Sequence, residues 1–231
     1  KLNQQGYEDL SDIIKKSKNP LSVSEFELMA KEKEIKVIDV RHQDSFAKGH
    51  IPNSIFIGLD GGFAPWVGAV LSDINQALLL VVDEDRVDEA ITRLSRVGFD
   101  NVKGYLKGGF SSWEDSGKEI GIVNTISADD FQKTYDSKKN NVFDVRKLTE
   151  YQSEHIINAK NIPLNDINDF ISDFDVSGEN FIHCAGGYRS MIANSILKSH
   201  GIHNLVDILG GYSQIKKTDI SRSDYICPST L

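Results

Sequence analysis

Val37-Ile38-Asp39-Val40-Arg41 returns 105 residues later as Val142-Phe143-Asp144-Val145-Arg146. The same spacing carries His50-Ile51 onto His155-Ile156 and Asn53 onto Asn158. Three matches in one register mark an internal duplication, and a duplication sets the architecture before any single motif does. Downstream the correspondence continues at slightly shorter spacings. Gly98 pairs with Gly201 at 103 residues, and Gly108-Gly109-Phe110 with Gly210-Gly211-Tyr212 at 102. The first copy has therefore gained a few residues, mostly within the stretch from Asp60 to Asn75, and the copies meet near Gly121 to Thr125.

Within each copy, short β-branched runs alternate with helical patterns. The sequence predicts strands over 36–40, 78–82, 102–104, 142–145, 180–183 and 205–207. Helices are expected over 24–33, 86–97, 128–135, 188–199 and 211–216, the first opened by Ser24 as N-cap. Strands separated by helices imply βαβ units and a parallel sheet covered on both faces. The reading is α/β: two three-layer domains, over 21–121 and 122–231. In such sheets ligands bind beyond the carboxyl ends of the strands, which directs the search for chemistry.

Composition narrows the function classes. The 231 residues are 39% hydrophobic and 26% charged, the balance of a globular protein. No apolar run approaches the roughly 20 residues of a membrane span. A formal net charge of −8 argues against a nucleic-acid partner, because phosphate backbones are bound through clustered Lys and Arg. Two cysteines, Cys184 and Cys227, make no disulfide framework and no Cys-rich zinc site, so a reducing, cytoplasmic setting is expected.

Cys184 opens Cys184-Ala185-Gly186-Gly187-Tyr188-Arg189-Ser190, between the predicted strand ending at His183 and the predicted helix that follows. Two glycines let this loop close tightly and turn backbone N–H groups inward, and the helix start adds partial positive charge. Such a nest stabilises an anion, so Cys184 is expected to react through its ionised sulfur. Arg189 is expected to add a cation and oxyanion donors, and Ser190 a hydroxyl to the sulfur. The corresponding stretch of the first copy, Val81-Val82-Asp83-Glu84-Asp85-Arg86, has neither cysteine nor glycine. The nucleophile position falls there on Val81, Val82 or Asp83, and three carboxylates oppose a bound anion.

The Cys184 loop resembles the Cys-x-x-Gly-x-Arg-[Ser/Thr] active-site loop of rhodaneses, the sulfurtransferases. The Asp-Val-Arg strand ends, the His-Ile segments and the Gly-Gly-aromatic helix starts resemble the other landmarks of that fold, in two copies over about Ser22 to Lys217. The resemblance implies two domains, each with a parallel five-stranded sheet and helices on both faces. It implies Cys184 as the nucleophile that carries sulfane sulfur as a persulfide, with no separate cofactor and no metal. Arg189 and the loop residues Ala185, Gly186, Gly187, Tyr188 and Ser190 would bind the donor, with Asp144 and Arg146 bracing the site. The partners it implies are a small-molecule sulfur donor and a thiol or cyanide acceptor. The insert from Gly61 to Leu71, with Gly-Tyr-Leu-Lys-Gly-Gly, is also similar to the tandem rhodanese portion of fusions headed by a metallo-β-lactamase-fold persulfide dioxygenase. Residues 1–20 would then be a linker from such an upstream domain.

Other readings stand beside this one. Cys184 sits on a six-residue Cys-x₄-Arg loop, whereas phosphatases and arsenate reductases of related fold use Cys-x₅-Arg, so a phosphoryl group is expected to fit poorly. Both copies acting only as docking or regulatory modules is the alternative to catalysis. A free cysteine is often a buried structural residue. His183 reads as a core histidine, pointing away from the loop by the period of two along a strand. Cys227 reads as an ordinary exposed thiol, and Phe63 and Trp66 as either a docking patch or core aromatics.

Overall fold

A computed structural model describes residues 10–136, 139–174 and 177–227. Two parallel five-stranded sheets are present, as the duplication implies. By chain contacts the molecule divides into two units: the first holds the chain up to His42 and from His50 to Gly121, and the second holds Gln43–Gly49 and the chain from Ile122 onward.

The first unit contains α1 (Leu10–Ser17), β1 (Pro20–Leu21), α2 (Val23–Ala30) and β2 (Ile35–Asp39). It continues after α3 (Gln43–Lys48), which groups with the second unit, through β3 (Ile55–Phe56), α4 (Phe63–Val70), β4 (Ala77–Val81) and a 3₁₀ turn over Glu84–Arg86. It ends with α5 (Val87–Ser95), β5 (Val102–Leu106) and α6 (Gly109–Asp115). The strand order is β1-β5-β4-β2-β3, every pair parallel. Central β4 is Leu-Leu-Leu-Val after its first residue and is buried throughout that run, because helices cover both faces of a parallel sheet.

The second unit repeats the order with β6 (Asn124–Ile126), α7 (Ala128–Thr134), β7 (Asn141–Asp144), α8 (Leu148–Ser153), β8 (Lys160–Asn161), a kinked 3₁₀ segment over Leu164–Phe174, β9 (Asn180–His183), α9 (Tyr188–Ser199), β10 (Leu205–Ile208) and α10 (Tyr212–Ile215). Its sheet runs β6-β10-β9-β7-β8, again all parallel. Phe131, Val142, Phe181, Val206 and Ile215 pack one face of this sheet.

The repeat extends into backbone detail. Asn53 and Asn158 both adopt left-handed conformations, φ 66° and 68°, which Asn tolerates better than other side-chain-bearing residues. Ser22 caps α2 by accepting from the Glu25 N–H, and Ser127, 105 residues later, caps α7 by accepting from the Asp130 N–H. This corrects the expected cap at Ser24. Ser22 stands directly after β1 in extended backbone, φ −61° and ψ 160°, and Glu25 returns a bond to its N–H at 2.9 Å.

The structure bears on two further stretches. Residues 1–9 of the expected linker lie outside the described residues, but the remainder is ordered structure. Helix α1 buries Ile13 and Ser17, and β1 forms the edge of the first sheet. The insert folds as α4, with Phe63 fully buried beneath the Arg93 guanidinium at 5.0 Å and Trp66 half-buried, so Phe63 is a core aromatic. Among the described residues no helix is long and apolar enough to cross a membrane.

Candidate active site

Strand β9 delivers Cys184 to the carboxyl edge of the second sheet, one residue beyond His183. The chain turns through Ala185, Gly186 and Gly187 and enters α9 at Tyr188. Gly187 has φ 103°, a conformation that side chains resist, and this turns its N–H onto the Cys184 sulfur at 3.2 Å. Cys184 is 1% exposed, and the residues that follow it are half-buried at Ala185 and exposed at Gly186. Gln43 of α3 also belongs to this unit and borders the loop: a Cβ placed on Gly187 would lie 3.2 Å from its Nε2.

The floor of the loop is fixed from below. The Tyr212 and Ser213 N–H groups donate to the carbonyls of Cys184 and Ala185 at 2.7 and 3.0 Å, and the Ser213 hydroxyl donates to Ala185 at 2.7 Å. This approach requires glycine at 211. Its φ is 54°, and a Cβ there would collide with the Cys184 carbonyl. The Tyr212 ring lies 3.9 Å below the Arg146 guanidinium, which grips Asp144 through Nε at 2.9 Å to both carboxylate oxygens and Nη2 at 2.6 Å. The first copy repeats the pillar, with Arg41 on Asp39 and over the Phe110 ring at 4.2 Å. Asp144 and Arg146 thus hold the platform and do not touch the sulfur.

Burial pulls the Asp144 carboxyl upward, but the nearby His183 and the Arg146 fork outweigh it and the group sits below its ordinary value. In the first copy burial prevails over Arg41 and Asp39 is raised, with the charge of Asp83 adding to the effect. His183 is fully buried, its Nδ1 3.9 Å from Asp144, and burial depresses its basicity. It is a core residue within the platform.

Two of the expected roles change. The Ser190 hydroxyl is buried and donates to the Gly187 carbonyl at 3.1 Å, facing Asp207, so it braces the loop from behind and does not reach the sulfur. Arg189 does not point freely into the loop. Its two terminal nitrogens donate to the two carboxylate oxygens of Glu150 at 2.6 and 2.8 Å. Tyr188 stands half-buried at the helix start.

Glu150 lies on α8 and was not expected at the site. One signal for it exists in the sequence: its counterpart 105 residues earlier is Ser45, so the carboxylate occurs only in the copy that also has the cysteine loop. Asp207 was also missed. It lies buried on β10, accepts from Asn194 Nδ2 at 3.2 Å, and its carboxyl is pushed up to about 7 chiefly by burial.

In the first copy, strand register settles which residue takes the nucleophile's place. Asp39 pairs with Val81 as Asp144 pairs with His183, so Val82 corresponds to Cys184. A side chain of that type cannot hold sulfur.

The model of the rhodanese-like domain matches residues 22–116 and again 127–218. The chain belongs to the rhodanese-like family. Among curated proteins, this rhodanese-like pair is 29% identical over 99 residues to a putative sulfur carrier protein, YrkF, of Bacillus subtilis, covering 42% of this chain and 54% of that protein. It is 40% identical over 73 residues to the adenylyltransferase and sulfurtransferase uba4 of Ogataea parapolymorpha, covering 31% of this chain and 18% of that one. The chain thus spans about half the length of the first of these relatives. Among solved structures, a rhodanese-like domain protein from Staphylococcus aureus matches at 31% identity and TM-score 0.39, covering 43% of this chain and 97% of that one. A thiosulfate sulfurtransferase from Pseudomonas aeruginosa matches at 19% identity and TM-score 0.40, over 90% of this chain and 44% of that one.

Proposed function

We propose that the chain is a sulfurtransferase working through a Cys184 persulfide, with the first copy inert in sulfur transfer. The observation that carries this reading is the Gly187 N–H aimed at the Cys184 sulfur at the carboxyl end of β9. A hydrogen-bond donor and a helix start directed at one sulfur give the negative charge of an attacking or departing sulfur a partner.

The ionised sulfur attacks the outer sulfur of a donor R–S–S–H, the donor's S–S bond breaks, and R–S⁻ leaves with the electron pair. Cys184–S–S–H remains. An acceptor thiolate or cyanide then attacks the outer sulfur, and the Cys184 thiolate is released as leaving group. With thiosulfate the same attack expels sulfite. No net oxidation occurs, so no redox cofactor is required. Ala185, Gly186 and Gly187 shape the cradle, while Asp144, Arg146, Tyr212 and Ser190 keep its backbone in place. A non-catalytic docking pair is the opposing reading, and loss of the Cys184 thiol decides between them. Intact-mass measurement after incubation with thiosulfate or glutathione persulfide should show one added sulfur in the wild type and none in Cys184→Ser. No adduct from either donor would remove the enzymatic reading.

The wider role proposed is in sulfide and persulfide metabolism in the cytoplasm, with an upstream metallo-β-lactamase-fold dioxygenase as partner. The test is the reading frame ahead of Lys1: a His-x-His-x-Asp-His cluster supports the partnership, and an unrelated sequence there removes it.

A further inference from the structure

We infer that Glu150 is a specificity-determining residue that masks Arg189 and turns the loop away from donors with a dianionic sulfonate end such as thiosulfate, in favour of thiol persulfides, which have no such group. The inference rests on the sulfurtransferase reading of Cys184. Its basis is the fork between Arg189 and Glu150, two bonds of 2.6 and 2.8 Å that engage both terminal nitrogens of the guanidinium. The bidentate end of the fork is thereby occupied, and a guanidinium would grip a three-oxygen anion through the same planar geometry it uses for a carboxylate. The pair is only partly exposed, with Arg189 at 17% and Glu150 at 34%, so water weakens it less than it would a surface pair. Glu150 is itself anchored, because its carboxylate accepts from the Lys147 N–H at 3.2 Å in the first turn of α8. The carboxylate is thus held by α8 as well as by Arg189.

The charges at the site favour one donor class. Thiosulfate brings two negative charges toward the attacking thiolate of the proposed step, and the cation beside it is already paired with Glu150. Sulfite must leave with both charges. A thiol persulfide brings at most one at the reacting sulfurs, any further charge lying on the distant R group, and its leaving thiolate needs no three-oxygen cradle. The duplication gives independent support. The copy without a nucleophile has Ser45 where the Cys184 copy has Glu150, although the Asp-Arg pillars and the left-handed asparagines on either side are kept in both. The carboxylate thus accompanies the cysteine loop, in the copy where that loop's Arg189 is present to pair with it.

The test is single-turnover loading of Cys184 by thiosulfate and by glutathione persulfide, followed by mass spectrometry, in the wild type, Glu150→Gln and Glu150→Ser. Glu150→Gln keeps an acceptor for Arg189 but removes the charge; Glu150→Ser restores the residue of the other copy. The second-order rate constant for thiosulfate is expected to rise about tenfold or more in both variants, while that for the persulfide stays within about threefold. An unchanged ratio between donors, or an equal fall for both, would overturn the inference and leave Glu150 as a brace for Arg189. Failure of the wild type to load from either donor would overturn the sulfurtransferase reading instead, so the two failures are distinct. Thermal melting of each variant identifies one that has lost its fold, and the other then decides.

Discussion

Asp207→Asn should abolish a large part of the pH dependence of folding. Asp207 is 2% exposed on β10, faces Asn194 and Ser190 of α9, and feels the charge of Asp44 on α3. Its carboxyl rises from an ordinary 3.8 to about 7, chiefly through burial. A group whose folded value lies above its unfolded one binds more protons in the native state. It therefore stabilises the fold fully below pH 3.8, and that stabilisation fades as pH climbs and is gone above about 7. At about 1.4 kcal/mol per pH unit across this window, the loss is on the order of 4 kcal/mol. Asparagine resembles the protonated acid and can still accept from Asn194, so the variant should escape the loss. Urea unfolding at intervals between pH 5 and pH 9 measures it. The variant should exceed the wild type by about 2 kcal/mol at pH 5 and by about 4 kcal/mol at pH 8. A constant difference across that range, or a variant that weakens as pH rises, would refute the burial argument.

Removing the arginine of the pillar should cost more than removing any exposed ion pair. Arg146→Ala leaves Asp144 fully buried without its fork, and a loss of about 3–5 kcal/mol in urea unfolding is expected, part of it recovered in the double variant with Asp144→Asn. Val82→Cys places a thiol at the matching point of the first copy, among Asp83, Glu84 and Asp85. Peptide mass mapping should find no sulfur there under conditions that load Cys184, because that loop presents carboxylates and no glycine nest.

Much of the architecture was legible because a duplication prints the same constraint twice. Asp39 and Asp144 recur because each anchors an arginine that supports an aromatic ring under the loop. Asn53 and Asn158 recur because both backbones enter the left-handed region. The cysteine loop was legible since strand, glycines and helix start are contiguous in the chain. Strands β1, β3 and β8 were not, as two residues show no alternation to read. Ser22 and Ser24 each precede a glutamate by three residues, so the capping pattern alone could not choose between them. The roles of Arg189 and Ser190 depended on partners fixed only by tertiary structure. Glu150 lies 39 residues from Arg189, and Ser190 turns inward because its helix buries that face. Gln43 carried no sequence signal, since its helix α3 groups with the second sheet while its neighbours in sequence group with the first.

The most direct test of the account is to locate the sulfur. The wild-type chain is loaded with glutathione persulfide, its cysteines are blocked with an alkylating agent, and its peptides are sequenced by mass spectrometry before and after a thiol acceptor is added. The account predicts an additional sulfur on the Cys184 peptide, none on the Cys227 peptide, and its disappearance as the acceptor becomes persulfidated. Sulfur confined to Cys227, or an adduct on Cys184 that no acceptor removes, would contradict it.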